Sequence, residues 1–414
     1  MFDKSRILSD ESPPKVYEPS EASDWKKLTV KGLHYGQRKL LLSEVEVLTV
    51  LNSSPSLGGR PILVVYAGAA PGLHIPFLCT MFPQIKMVLI DPAPFSGNLQ
   101  KLSEDSNGPI LELINDVCTD ELCIRLSRDY GETYYILFIS DIRTGNPSGM
   151  KTNVEHTKMM EMDNNLQKSW CFSIRADAAL LKFHPPYPAV TDKSSPAYDE
   201  NDTTPSSITY LDGVLLWGVW APKSSSEIRL FVNEPFSATA DVKERSYNCS
   251  EHEQKCYYYN TDSRYAKDCE AERLILQRYI DANLGGTWSC ASLSEKISEE
   301  LGFALFTPLA EGFSEDNARW VSLLYSTRNP ANLSMFEQLR SVMTFKAVYH
   351  LVSTFKDSDS IPKNEKTDGV ELGADFWKVF CRGNFAEAYS FPKFRWNFYS
   401  QLFGANKSVG KRRR

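Results

Sequence analysis

The chain has 414 residues, 42% hydrophobic and 24% charged, with a formal net charge of −6. That is ordinary globular composition, long enough for one large domain with appendages or for two domains. It excludes a protein that coats nucleic acid through bulk positive charge, and no apolar run nears the roughly 20 residues of a membrane helix. Nine scattered cysteines without a paired framework, and an N-terminus lacking the apolar core of a signal peptide, lead us to expect an intracellular protein with free thiols.

Residues 1–30 are rich in Pro, Ser and charge and read as an irregular arm. From Tyr35 to Leu51 apolar residues recur at helical spacing (Leu40, Leu41, Val45, Leu48), so a helix opens the main domain. A turn precedes the buried-strand run Ile62–Tyr66, a Gly-rich corner and a helix over 73–82, and a second strand, 86–90, ends on Asp91. The run Tyr134–Ser140 is another strand, ending on Asp141, followed by a helix over 153–170. Further strands are expected at 178–183, carrying Lys182, at 213–220, and at 228–232 behind Glu227, with a polar surface loop at 191–207. Strands alternating with helices predict an open α/β sheet with helices on both faces. The expected division is an arm (1–30), a sheet domain (31–261), a mainly helical C-terminal region (262–403) with apolar stretches at 274–280 and 336–352 and a polar connector at 356–368, and a basic tail (404–414).

The segment Val65-Tyr66-Ala67-Gly68-Ala69-Ala70-Pro71-Gly72 follows a strand and opens a helix. Glycines there let the backbone turn sharply and approach a ligand near free helix amides. Asp91, at the end of the next strand, is where an acid would accept hydrogen bonds from ribose hydroxyls. Gly-x-x-x-Gly alone also suits a plain tight turn; with strand, helix and Asp91 in order it favours a nucleotide-like cofactor. The spacing is not Gly-x-Gly-x-x-Gly, which argues against an ordinary NAD site.

YAGAAPGLHI (66–75), KMVLID (86–91) and ILFISDIR (136–143) together resemble the poxvirus-type cap-specific mRNA 2′-O-methyltransferases, a family with kinetoplastid relatives that methylate the spliced-leader cap. The resemblance runs from about Tyr17 to Asn260 and leaves the C-terminal part uncovered. It implies a Rossmann-like S-adenosylmethionine-dependent methyltransferase sheet, with S-adenosylmethionine as cofactor and capped mRNA or spliced-leader-type RNA as substrate. The family's Lys-Asp-Lys-Glu tetrad is matched by Lys39 in Gln37-Arg38-Lys39-Leu40, Asp141 at a strand end, Lys182 in Leu181-Lys182-Phe183, and Glu227 in Ser226-Glu227-Ile228-Arg229. A ribose hydroxyl is too weak an acid to attack a methyl sulfonium unaided, so a base must take its proton as the bond forms. Lys182 is the expected base and Lys39 its cationic neighbour, because two close ammonium groups favour loss of a proton from one. Asp141 and Glu227 would hold both in position. Read singly, Lys182 and Glu227 would be solvated surface groups and Asp141 a helix cap; only the joint match favours chemistry.

The same resemblance carries cofactor contacts onto Gln37, Tyr66, Gly68, Gly72, His74, Asp91, Val117 and Arg143. His74, opening a helix, reads equally as a packing residue. A flat cationic 7-methylguanine is selected by aromatic stacking and a carboxylate; Tyr17, Tyr187 and Glu253 match those roles. Two positions depart from the family: Ala189 stands where a second cap acid is expected, with Asp192 as a substitute, and Ala93 stands where the family has an arginine. Cys249, His252 and Cys256 have zinc-like proximity but no fourth ligand, so no metal is expected, and Tyr257–Tyr259 reads as strand packing. The tail Lys411–Arg414 reads equally as a solvated end and as a nuclear-import or RNA-contacting signal, and a nuclear location is favoured over a cytoplasmic one. Two rival readings remain: a ribose methyltransferase of internal RNA sites, and an RNA-binding accessory subunit of polyadenylation type, with an RNA-processing protein as partner.

Overall fold

A computed structural model describes residues 2–17, 36–145, 153–190, 193, 198–221, 225–237, 242–301 and 307–310. The connector 356–368, the apolar stretch 336–352, the basic tail, Asp192, and residues 18–30 of the expected arm lie outside the described residues. The chain forms two compact units, one of residues 1–18 and 35–288, the other of residues 19–34 and 289–414. In the second, the described residues include a helix, Cys290–Glu300, opened by a Ser289/Ser292 capping box. Residues 262–288, expected on periodicity in the helical C-terminal region, cluster with the sheet.

The first unit is built on a seven-stranded sheet ordered β3-β2-β1-β4-β5-β8-β7. Its strands are β1 (Ile62–Ala67), β2 (Lys86–Ile90), β3 (Ile110–Ile114), β4 (Tyr135–Ser140), β5 (Ala178–Phe183), β7 (Val214–Leu216) and β8 (Ile228–Val232). β1 to β5 run parallel, while β8 is antiparallel to both β5 and β7. β1, β4 and β8 are buried at every position, as covering on both faces requires, which is why β1 and β4 read as nearly continuous apolar runs, while β8 carries the buried Arg229. The fold is Rossmann-like α/β. From β1 the chain winds outward to β2 and β3, then returns to place β4 on the other side of β1. That topological switch point, at the carboxyl ends of the strands, is where open α/β sheets bind ligands.

The predicted strands at 62–66, 134–140 and 228–232 and the helix at 153–170 are present; after α2 (Ile75–Met81), α3 (Gly97–Ser103) and α4 (Asp120–Tyr130), that helix, α5, extends over Asn153–Ile174. The run 213–220 shortens to the three residues of β7. A two-stranded ribbon of β6 (Ser207–Leu211) and β9 (Glu244–Asn248) leads directly into α6 (Cys249–Thr261), where Asn248 accepts the Glu251 N–H as N-cap. Tyr257–Tyr259 is therefore helical and not strand packing. Its three adjacent aromatics masked the helix, because no apolar stripe separates the faces.

α1 (Gly36–Asn52) carries Gln37 and Lys39 and is buried almost all round, charges included. Each buried charge has a partner. Arg38 makes a bidentate pair with Glu272 at 3.0 and 2.5 Å, Glu44 meets His74 at 3.0 Å, and Glu46 meets Arg6 at 2.9 Å. Glu272 lies on α7 (Arg264–Asn283) and also accepts the Trp220 indole N–H at 2.6 Å. The arm, irregular as expected, is nonetheless docked: Leu8 N–H donates to Leu215 at 2.8 Å and Trp217 N–H to Arg6 at 3.0 Å, covering the open edge of β7. Removing one partner of a buried ion pair leaves an uncompensated charge. Arg38→Met is therefore expected to lower the unfolding free energy by about 3–5 kcal/mol in urea titrations, with much of the loss recovered by adding Glu272→Met.

Candidate active site

Four chain segments converge where β4 and β5 end and β8 begins. Asp141 follows the last residue of β4, Lys182 is the penultimate residue of β5, Glu227 precedes β8, and Lys39 reaches in from α1. Lys39 Nζ donates to Glu227 Oε1 at 2.7 Å. Lys182 Nζ lies 3.4 Å from Asp141 Oδ1 and 3.5 Å from Glu227 Oε2. The four tetrad positions thus form one cluster. The contacts differ in kind: the Lys39 bond has charge-assisted length, while the Lys182 ammonium stands beyond ordinary hydrogen-bond range of both acids. Lys182 also lines a cavity of about 210 Å³ together with Arg143, His156, His184, Tyr187 and Glu227.

Arg229 is the member that sequence reasoning missed as a site residue. It is buried, sits directly across from Lys182 in the β5–β8 ladder, and holds Asp141 at 2.7 Å. Like charges directly opposite on a sheet repel; here the two carboxylates stand among them. The available signal was Glu-x-Arg entering a strand, since residues two apart share a face. Burial drives the acidity of Asp141 and Glu227 down, but the surrounding cations outweigh it. Arg229, then Lys182 and Lys39, hold Asp141 below its ordinary value; Lys39, Lys182 and Arg229 hold Glu227 well below its own.

The cofactor corner follows β1. Gly68 has φ +82°, and a Cβ there would stand 2.9 Å from the Asp141 carbonyl carbon, so glycine lets the corner lie against the end of β4. Gly72, at φ +64°, faces Leu99 in the same way. Asp91 accepts the Ala70 N–H at 2.9 Å on one oxygen and the Ala93 N–H at 2.8 Å on the other. A carboxylate has about four acceptor sites, so capacity for a ribose diol remains. Val117, 55% exposed just past β3, offers an apolar surface beside this corner's strand ends. These residues fit a nucleoside-bearing cofactor.

The other cofactor candidates divide. His74 is buried, with Nδ1 2.7 Å from Gln37 Oε1 and Nε2 3.0 Å from Glu44, so its ring braces the corner from within. Gln37 Oε1 also accepts the His74 backbone N–H at 3.2 Å. Tyr66 is buried beneath the corner, and burial with nearby Glu44 and Asp141 pushes its hydroxyl well above the ordinary value. Arg143 also pairs with Glu227 at 3.2 Å, which joins it to the charge cluster.

On the opposite flank, Tyr17 packs edge-on against Tyr257 of α6 at 5.1 Å. Glu253 of α6 is half-buried, and burial pushes its carboxyl up to about 7. Its charge reaches both Tyr17 and Tyr187, whose hydroxyls are raised first by burial and then by Glu253. Tyr187 stands edge-on to His184 at 4.6 Å. No group of three His, Cys, Asp or Glu side chains able to hold a metal occurs among the described residues. Nor is any helix among them long and apolar enough to cross a membrane.

A profile of the poly A polymerase regulatory subunit family matches residues 8–271, more than half of the chain. The chain belongs to that family. It is 28% identical over 272 residues to a protein of Myxoma virus (strain Lausanne) named cap-specific mRNA (nucleoside-2′-O-)-methyltransferase, covering 63% of this chain and 70% of the relative. A Fowlpox virus (strain NVSL) protein of the same name is 26% identical over 235 residues, 55% of this chain and 68% of its own.

His252 lies buried and His184 half-buried behind the cluster, and removal from water pushes their ring values down from 6.5, to about 3 and about 4 respectively. The folded state then binds fewer protons than the unfolded chain below about 6.5. Their stabilisation is complete above that pH and is lost as pH falls towards 4 and then 3. Glu253, raised to about 7, acts in the opposite direction over part of this range, so the informative quantity is the difference between variants. Urea unfolding of His184→Gln is expected to show a pH slope between about pH 6 and pH 5 smaller than wild type by up to ~1.4 kcal/mol per pH unit.

Proposed function

We propose that the chain is a cap-dependent mRNA ribose 2′-O-methyltransferase using S-adenosylmethionine, with Lys182 as general base. The observation that carries it is the Lys182 amine, lining a cavity and standing 3.4 and 3.5 Å from two carboxylates without a hydrogen bond to either, while Lys39 hydrogen-bonds Glu227 at 2.7 Å. The poxvirus relatives named as cap-specific methyltransferases support the same reading.

The cofactor, when bound, supplies an electrophilic methyl group on a sulfonium; Asp91, the 68–72 corner and Val117 would hold it. The chain's own task is to seat a ribose hydroxyl in the cavity and manage its proton. Lys182 Nζ in its neutral form accepts that proton as the oxygen forms its new bond. Lys39, Arg143 and Arg229 then outnumber Asp141 and Glu227, and this excess stabilises the negative charge developing on the oxygen. Orientation of the hydroxyl against Lys182 supplies much of the remaining rate. Four tetrad positions gathered beside a cavity argue against a purely regulatory subunit, and their half-buried carboxylates are compensated by the surrounding cations.

For the cap, Tyr17 and Tyr187 offer the aromatic faces and Glu253 the carboxylate that accepts the base N–H groups. Ala189 supplies no second acid, so recognition rests on Glu253. Methyl transfer from labelled S-adenosylmethionine to a short capped RNA is expected to fall about 10²-fold or more in Lys182→Ala with cofactor binding retained; a fully active variant removes Lys182 as base. Equal rates on capped and uncapped RNA would instead favour internal sites. Because Glu253 ionises near 7, affinity for a cap analogue is expected to rise between about pH 5.5 and pH 7, and Glu253→Gln to abolish that rise.

A further inference from the structure

Two members of the Cys249/His252/Cys256 motif, His252 and Cys256, make hydrogen bonds that point to another use. α6 reaches the catalytic strand ends through the two residues before Glu227. The His252 Nε2–H donates to the Ser226 carbonyl at 2.8 Å, and the Cys256 thiol approaches the same oxygen at 3.6 Å. One turn on, the Asn260 amide donates to the Ser225 carbonyl at 2.5 Å. The Asn260 amide is itself oriented, because its oxygen accepts from Arg264, which is fixed by Asp268 at 2.6 Å and by the Gly218 carbonyl at 3.1 Å. From the other side, Ser226 Oγ meets His184 Nε2 at 2.6 Å, and Ser225 Oγ accepts the Glu227 N–H at 3.2 Å. The backbone of 225–226 is thus clamped through its carbonyls by one helix.

That helix also carries Glu253, on the turn between these anchors. Glu227 in turn is the only carboxylate among the described residues that contacts both lysines of the cluster. We propose that His252 and Asn260 are positioning residues for Glu227, transmitting the placement of α6, and with it of the base-recognising Glu253, to the carboxylate that orients Lys39 and Lys182. Neither touches substrate; both act through the 225–226 backbone. The inference deepens the methyl-transfer reading and rests on it for its kinetic consequences. The hydrogen bonds that carry it are independent of the reaction.

The test is a double-mutant cycle with Glu227. His252→Leu and Asn260→Leu remove the donors, while His252→Gln keeps an N–H of similar reach. With capped RNA, each Leu variant is expected to lower kcat about 10- to 100-fold with KM for capped RNA and cofactor affinity little changed, and His252→Gln to restore most of the rate. In a Glu227→Gln background the same Leu substitutions should change kcat by less than about twofold. Effects that multiply with Glu227→Gln, or that fall on KM alone, overturn the proposal. A wild type that transfers no methyl group overturns the functional reading instead. The clamp is then judged from urea midpoints of the same variants, where non-additive shifts uphold it and additive shifts reject it.

Discussion

Two carboxylates and four cations at one end of the sheet, where β4 and β5 finish and β8 begins, set the terms for the rest of this protein. Asp141 and Glu227 are expensive to bury, and each is tolerated because Arg229, Lys39, Lys182 and Arg143 close around them. The cations are equally dependent, since Arg229 and Lys182 face each other across the β5–β8 ladder. Neither sign could occupy this end alone. The residue types there are therefore coupled, and the backbone must deliver them from four separate places in the chain.

That delivery explains the polar investment elsewhere. α1 brings Lys39 to the cluster, and a helix buried on all sides would otherwise be free to slide or rotate among apolar neighbours. Its pairs with Arg6, His74 and Glu272 fix its register against the arm, the cofactor corner and α7. Such pairs add little net stability over apolar packing, but losing one partner strands a buried charge, so each partner constrains where the other sits. His74 shows the economy of the design: the packing role open to a residue that starts a helix ties the corner to the helix that presents Lys39.

α6 repeats the logic on the other flank. It follows a short ribbon, carries Glu253 on its half-buried face, and uses His252 and Asn260 to hold the strand entry that ends in Glu227. Two residues of a motif with zinc-like spacing, His252 and Cys256, thus take part in a hydrogen-bonded clamp.

Strands β1, β2, β4, β5 and β8 and the glycine corner were legible in the sequence because each depends on local chemistry, whereas β3, β6 and β9, which are less apolar and more exposed, were not. Continuous apolar runs mark strands covered on both faces, and Gly68 and Gly72 mark backbone that a side chain would obstruct. The tetrad was legible through resemblance, not through pattern, since Lys182 and Glu227 sit in unremarkable local surroundings. What only the tertiary structure decided is partnership: that Arg229 belongs to the cluster, that Arg143 joins Glu227, that His74 faces inward, and that Tyr257–Tyr259 lies on a helix. Each of these is a contact or packing direction set by residues distant in the chain. No local propensity encodes which buried charge will find which partner, because that choice is made when the sheet brings four segments to one end.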